Sequence, residues 1–409
     1  MRHLLYLLSL PNCFPLFFIG VLGTVQPRNR FGTDARQERT LFMTIGVTSM
    51  SLRVVQWGTG NVGYHSLRHL IEHPDYDLVG LHAHSPNKVG KDAGEIAGLS
   101  MTTGITATND AGALLDLRPD CVLYNANGEN RPDEAIADMS AILSAGINLL
   151  STSMIFLVYP SFAEAGLREP LEKAALKGQS TMFISGVDPG FSGDVLPLAG
   201  LQMADNVDQL LVQELVDYST YEDPEFTGVA FGFGQPESAT PIMALEGVLR
   251  SGWGGMVQMM ADRVGVPLDE IRESYERHFT TEAFDTPMMH VPKDTCAAVR
   301  FRLEGMAYGR PVIVTEHVNR LREDIAPHWP MPPAGKQGVH RCILQGSPSV
   351  TLECFLEGSD GDYNTGGVQC TALRMINAME AVCQHAPGLI STLDLPYTPT
   401  TNFRRAEKT

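Results

Sequence analysis

Apolar and polar positions follow two different rhythms along this chain, and the change of rhythm divides it. Between residues 52 and 185, short apolar runs are separated by longer stretches with helical spacing. Leu52–Trp57 (LRVVQW) is apolar and too short for a helix, so it predicts one buried strand. Leu67, Leu70 and Ile71 then fall at helical spacing and mark one apolar face. Similar runs predict strands at Asp77–Ala83, Asp120–Asn125, Ile147–Thr152 and Thr181–Ser185. Helical stretches lie between them: Lys91–Ala97, Arg131–Ala145 and a helix ending at Leu176. Strands alternating with helices in this way specify a doubly wound α/β unit, whose parallel sheet Thr181–Ser185 would close.

After Gly186 the pattern changes. Asp188 and Pro189 read as the cap and first turn of a helix. Val207–Ser219 follows as a long strand, and after Pro241 an apolar helix carries Met243, Leu245, Val248, Met256 and Met260, with the methionines as core filler. Ala297–Tyr308 alternates, with Val299, Phe301 and Leu303 against Arg300, Arg302 and Glu304, turns at Gly309-Arg310 and returns as PVIVTEHVNRL; His340–Gln345 turns through Gly346-Ser347-Pro348 into Val350–Gly358. Period-two alternation with turn residues between predicts an antiparallel sheet with one covered face. A final helix is expected over Thr371–His385. The expected fold is therefore α/β: a Rossmann doubly wound parallel sheet over 51–186, and a second α+β domain with a largely antiparallel sheet over 187–365. A C-terminal helix and tail (366–409) would return to the first domain.

The turn after the first strand carries the first chemical signal. Gly58-Thr59-Gly60-Asn61-Val62-Gly63 fits G-x-G-x-x-G between a strand and a helix, the context a dinucleotide site requires. Gly58 permits the tight turn, Gly60 lets the backbone approach a pyrophosphate, and Gly63 lets helix and strand pack closely. The diphosphate would sit on unsatisfied N–H groups at the helix N-terminus. At the end of the second strand an NAD site carries an acid for the ribose 2′-hydroxyl. Here stand His82, Ala83, His84 and Ser85, then Asn87 and Lys88. Ser85 and Lys88 suit a 2′-phosphate, so NADP is expected, with NAD as the alternative. Ligands of such sheets bind outside the carboxyl ends of the strands, which puts Asn125–Asn130 and Thr152–Met154 near the cofactor.

Charge and composition narrow the partners. A formal net charge of −17 excludes the basic footprint that nucleic acid demands. Seven scattered cysteines with no C-x-x-C pair read as reduced thiols of a cytosolic protein, and no metal-ligand spacing is present. Residues 1–50 stand apart. Arg2 and His3 precede an apolar run, Leu4–Leu22, broken by Pro11, Asn12 and Pro15, with no A-x-A cleavage site. An over-long gene start is expected, with translation from Met43 or Met50 and a disordered or absent extension; a secretory signal is the alternative.

Several ordered blocks resemble the dihydrodipicolinate reductase-like group, above all its 2,4-diaminopentanoate dehydrogenase and native amine dehydrogenase branch. They are WGTGNVG, SPNKVGKDAGEIAGL (Ser85–Leu99), GVDPGFSGD (Gly186–Asp194), VTEHVNR (Val314–Arg320) and the tail ALRMINAMEAVCQHAPGLISTLDLP. The resemblance runs from about Arg53 to Pro396. It implies an NAD(P)-dependent oxidoreductase, a dimerising second domain and a last helix that returns to the nucleotide domain. In such amine dehydrogenases, a ketone and ammonia form an imine that receives hydride. The H-H-x-x-K segment of true dihydrodipicolinate reductases is missing; QELVDYSTYEDPE occupies that strand end. The amine dehydrogenases carry acidic residues just after the fifth strand, whereas Ser151–Pro160 (STSMIFLVYP) has no charge. A site without an anion would favour a neutral carbonyl or preformed imine over ammonia-dependent amination.

Three side chains are candidates to supply the missing chemistry. Glu316 and His317 are strand neighbours and point to opposite faces, so only one can reach the cleft. His317 is preferred, because an imidazole can deliver a proton near neutrality. Glu129, after the fourth strand, would bring a carboxylate from another loop. Asp188 would face the nicotinamide from its helix end. The expected function is an NAD(P)H-dependent reductase of a small carbonyl or imine, cytoplasmic and homodimeric, with no membrane partner. A non-catalytic NADP-binding redox regulator is the alternative.

Overall fold

The computed structural model describes residues 51–402. The expectations for residues 1–50 lie outside the described residues. Seven strands build the first sheet: β1 (Leu52–Trp57), β2 (Tyr76–His82), β3 (Ala107–Thr108), β4 (Cys121–Tyr124), β5 (Asn148–Ser151), β6 (Thr181–Ile184) and, from the far end of the chain, Gly388–Ile390. All pair in parallel, with Gly388–Ile390 beside β6 and the rest in the order β6-β5-β4-β1-β2-β3. Thr181–Ile184 therefore does not close the sheet; the chain returns to add one more strand.

Both faces of this sheet are covered, as continuous apolar runs require. Val54, Leu123, Leu150 and Phe183 pack on Met375, Ile376 and Met379 of the final helix. Val55, Val122, Leu149 and Met182 face Met139, Ile142 and Leu143 of the helix Pro132–Ser144 on the other side. The final helix spans Tyr363–Cys383, eight residues earlier at its start than the apolar periodicity suggests. Its first turns are polar and glycine-containing, and Asp362 caps them by accepting the N–H of Thr365 at 2.7 Å. Tyr76 donates its hydroxyl to the Ile376 carbonyl (2.8 Å), tying this helix to the first sheet.

The second sheet contains β7 (Asn206–Asp217), β8 (Glu270–Phe279), β11 (Cys296–Ala307), β12 (Arg310–Arg320), β13 (Gly338–Ser347) and β14 (Val350–Cys354); a small hairpin, β9 (Phe284–Asp285) and β10 (His290–Val291), stands apart. Gly388–Ile390 is β15. The order β14-β13-β7-β12-β11-β8 is antiparallel except where β7 and β12 run parallel. β8 (EIRESYERHF) escapes the sequence pattern because only Ile271, Tyr275 and Phe279 among its inward positions are large and apolar. The inner face of this sheet is covered by the helix Val248–Val264, with Met256, Val257, Met259 and Met260 buried. Met243 and Leu245 do not belong to that helix; Met243 lies in a separate turn, Ile242–Ala244, and Leu245 follows it. Among the described residues no helix is long and apolar enough to cross a membrane. None of their cysteines is disulfide-bonded.

Candidate active site

The glycine turn has the geometry a diphosphate needs. Gly58 has φ +97°, and a Cβ there would come within 2.6 Å of the Ala126 nitrogen. At Gly63 a Cβ would collide with the Gly58 carbonyl oxygen, so helix and strand touch only because both positions are glycine. A Cβ at Gly60 would meet nothing within 4 Å. The helix Asn61–Glu72 begins there with no side-chain cap, leaving its first N–H groups free for an anion. The residues thus fit the diphosphate of a dinucleotide on steric and hydrogen-bonding grounds.

Asn125 holds this turn together rather than projecting from it. Its Oδ1 accepts from Gln56 Nε2 (2.8 Å) and Ser66 Oγ (3.0 Å), and its Nδ2 donates to Thr152 Oγ1 (2.8 Å). It therefore joins the ends of β1, β4 and β5 to the first helix. Lys88 Nζ reaches back to the Thr59 carbonyl at 2.5 Å, over the glycine turn, while Ser85 is exposed beside it. Val62 packs in the first helical turn, its carbonyl accepting from Ser66 Oγ.

The uncharged segment after β5 receives a carboxylate from elsewhere. Glu129 Oε1 accepts the Met154 N–H at 2.6 Å and the Ile155 N–H at 3.3 Å, and its Oε2 accepts from Ser153 Oγ at 3.2 Å. Met154 is left-handed (φ 62°), which turns these N–H groups toward Glu129. The anion missing from the sequence of Ser151–Pro160 is thus supplied by the loop after β4.

Asp188 does not cap a helix. Its backbone is extended (φ −150°, ψ 116°), and the cap of the following helix, Val195–Leu201, is Asp194. The D-P pair imitates a helix start, but the Gly190 and Ser192 turn beyond it delays the helix and turns the Asp188 carboxylate inward. Oδ1 accepts Trp253 Nε1 and Oδ2 accepts Ser192 Oγ, both at 2.7 Å. The side chain is 1% exposed and lies 3.4 Å from His317 Nε2.

His317 faces inward and Glu316 outward, as strand parity requires. Glu316 is engaged on the opposite face by Arg300 (2.6 Å) and Gln213 (2.6 Å). His317 is sandwiched by Phe301, stacked at 4.3 Å, and the edge of Trp253 at 5.4 Å. Its Nδ1 lies 3.6 Å from Glu214 Oε1. Its Nε2 is within ion-pairing range of Asp188 but makes no hydrogen bond of good geometry. Glu214 is the residue that pattern reading misses. The strand VQELV reads as apolar, yet Glu214 pairs in register with His317 across the parallel β7–β12 contact and with His340 across β13. Tyr218 OH (2.9 Å), Asn319 Nδ2 (2.8 Å) and His340 (3.3 Å) also converge on its carboxylate.

The charges of this cluster follow from its partners. Burial favours the neutral imidazole, but Asp188 and Glu214 on either side outweigh it, so His317 titrates above its ordinary range. Burial also works against the Glu214 carboxylate; His317 and His340 beside it win, and it stays ionised well below the usual range. Asp188 has fewer donors, and burial raises its pKa despite His317. The ligand-type atoms of Asp188, Glu214 and His317 lie within 4.8 Å of one another. Because each ring nitrogen faces a different carboxylate, the arrangement suits a proton between them better than a metal ion. A cavity of about 870 Å³, lined by Val187, Phe191, Leu373, Arg374 and Leu395, is separate; none of the three side chains lines it.

Comparison with known proteins agrees with this architecture. Residues 194–407 match the family of the 2,4-diaminopentanoate dehydrogenase C-terminal domain. An amine dehydrogenase of Streptomyces virginiae is 38% identical over 351 residues, covering 85% of this chain and 97% of the relative. The solved structure of an amine dehydrogenase from Mycobacterium smegmatis shares the fold with a TM-score of 0.68 at 17% identity, covering 85% of this chain and 97% of that one. A dihydrodipicolinate reductase from Paenisporosarcina sp. TG-14 overlaps more loosely, with a TM-score of 0.44 at 14% identity over 84% of this chain and 99% of that one. The chain belongs to the 2,4-diaminopentanoate dehydrogenase and amine dehydrogenase family of NAD(P)-dependent oxidoreductases.

Proposed function

We propose that the chain interconverts a small imine or ketone and the corresponding amine or alcohol, with NADP preferred and with Asp188, His317 and Glu214 as its acid–base group. The observation that supports this most is His317 held between two buried carboxylates, where the loop after β6 meets the second sheet. When bound, the nicotinamide supplies a hydride to the carbon of a C=N or C=O bond. The oxygen of a ketone, or the nitrogen of a neutral imine, takes the electron pair of the broken π bond and needs one proton; on the imine nitrogen that proton makes the cationic iminium that accepts the hydride. His317 donates it from Nε2, and its place between Asp188 and Glu214 keeps that proton available near neutrality. With both carboxylates ionised and His317 protonated, the cluster carries one net negative charge. In a buried, water-poor site that charge favours a cationic iminium. The lack of charge in Ser151–Pro160 therefore does not leave the site without an anion, which speaks against a preference for neutral carbonyls and against a purely regulatory role.

Glu129 is assigned to holding Ser153–Ile155, through the Ser153 hydroxyl and the Met154 and Ile155 N–H groups, where it also places a carboxylate at the end of β5. Gly58, Thr59, Gly60, Asn61, Val62 and Gly63 take the diphosphate, and Asn125 and Thr152 keep the strand ends in place. NADP preference is assigned to Ser85 and Lys88, supported by the position of Lys88 over the glycine turn and by His82 where an acid would select NAD. A cytosolic homodimer is the proposed state, with the outer face of the second sheet, around Arg300 and Glu316, as the contact. Light scattering on the purified protein checks the dimer.

The test is a panel of ketones with high ammonia, preformed cyclic imines and aldehydes, each with NADPH and NADH. Turnover of imines or of ketones with ammonia supports the reading. Tight NADPH binding without turnover across the panel refutes it.

A further inference from the structure

One face of the second sheet carries a continuous polar row through an otherwise apolar core. His317, Glu214 and His340 are direct cross-strand partners on β12, β7 and β13, with the apolar Phe301 of β11 opposite His317 at the near end. The row does not stop at His340. Its Nδ1 lies 2.6 Å from the Tyr363 hydroxyl, and the two rings stack at 5.9 Å with planes 16° apart. Tyr363 is the first residue of the final helix.

We propose that His340 and Tyr363 are positioning residues, which act through Glu214 to hold His317 in place and charged for proton delivery. This rests on the assignment of His317 as proton donor.

The hydrogen-bond inventory fixes the direction of the row. An ionised Glu214 is an acceptor only, so the His340 nitrogen facing it, Nε2, must carry the hydrogen. If His340 is neutral, Nδ1 is then an acceptor, and the Tyr363 hydroxyl must be its donor. Burial supports this by keeping the phenol protonated. Tyr363 thus selects the tautomer of His340 that donates to Glu214, as second partners of imidazoles commonly do. The backbone makes room for it: a Cβ at Gly338 would lie 2.8 Å from the Tyr363 ring. The same helix also touches the loop that carries Asp188, because Thr371 Oγ1 accepts the N–H of Val187.

Asp188 comes to His317 from the loop after β6 and Glu214 from β7, and Trp253 and Phe301 flank the ring; Tyr218 and Asn319 stand behind, on the Glu214 carboxylate. Glu316, on its own strand, acts from the opposite face. His340 and Tyr363 touch none of the reacting atoms. Without the His340 donor the Glu214 carboxylate is free to turn away from His317 Nδ1, and His317 then holds its proton less firmly.

The experiment measures kcat/KM against pH for wild type, Tyr363→Phe, His340→Leu, His340→Gln and His317→Ala, using NADPH and whichever imine or ketone turns over fastest in the panel. Tyr363→Phe and His340→Leu are expected to move the alkaline limb down by about one pH unit, the shift a single charge-assisted hydrogen bond produces. His340→Gln, which can still donate to Glu214, should restore most of it. A limb that stays in place in Tyr363→Phe and His340→Leu, while disappearing in His317→Ala, overturns this proposal and leaves the role of His317 standing. A limb that survives His317→Ala overturns that role instead. Should His340→Leu fail to fold, Tyr363→Phe still decides.

Discussion

His317 on β12 and Glu214 on β7 stand opposite each other on parallel neighbouring strands, with Nδ1 and Oε1 3.6 Å apart. They are 103 residues apart in sequence, and nothing local to either announces the other. With Asp188 approaching from the other side, the pair converts an apolar sheet into a proton-holding site.

The first prediction concerns stability against pH. His317 has its folded pKa raised above 6.5, so its contribution is fully present below that value and is lost as pH rises through the folded value. Glu214 has its folded pKa lowered from 4.5, so its contribution is present above that value and is lost as pH falls through the folded one. Asp188, raised, costs stability wherever it is ionised. Thermal unfolding midpoints should therefore fall at both ends of the scale. His317→Gln should flatten the alkaline fall, and an unchanged alkaline slope in that variant would contradict the assignment.

Cofactor choice gives the second. Lys88→Ala should weaken NADPH by about 10- to 100-fold, since a charge-assisted hydrogen bond is worth about 1.5–3 kcal/mol, and leave NADH nearly unchanged. Equal losses for the two cofactors, measured by titration, would move the 2′-phosphate contact elsewhere.

Two glycines of the turn should separate fold from binding. Gly60→Ala meets open space in the absence of ligand, so the unfolding midpoint should hold while dinucleotide affinity drops. Gly63→Ala forces the first helix off β1 and should destabilise the protein by about 1–3 kcal/mol, the usual cost of overpacking. Denaturant melts and cofactor titrations on both variants check this; equal stability losses would show that Gly60 too is structural.

Asp188→Asn keeps the hydrogen-bond geometry and removes the charge. Trp253 can still donate to the amide oxygen, and the amide nitrogen can donate to Ser192 Oγ, whose hydroxyl changes from donor to acceptor, so the fold should stand. His317 loses one of its two anions, and its titration should move to lower pH. Following the His317 ring protons by NMR across pH reads this directly, and an unmoved titration would mean that Asp188 does not share the proton.

Much of the scaffold was legible in the sequence, because parallel strands buried on both faces must be apolar and the glycine turn has a unique steric logic. That Glu316 and His317 point to opposite faces was also legible, since strand parity is fixed, whereas the preference for His317 rested on the chemistry of an imidazole. Glu214 was not, because its partner lies on a parallel neighbour whose pairing no local pattern reports. Asp188 was misread for the opposite reason: a D-P-G sequence is good local evidence for a helix start, and the tertiary fold uses it to aim a carboxylate instead. β8 was missed because its outer face is charged and its inner face only sparsely apolar.

The central claim is that His317, charged between Asp188 and Glu214, delivers the proton that accompanies hydride transfer. The most direct measurement is NADPH oxidation by His317→Ala beside wild type, with a preformed imine and with a ketone plus ammonia, alongside the NADPH dissociation constant of each protein. Wild type should turn over at least one of these substrates. The variant should lose about 10²- to 10⁴-fold in kcat, the range of general acid catalysis, while binding NADPH as wild type does. A variant that turns over at the wild-type rate would place His317 in the core as a packed side chain and leave the chemistry to other residues.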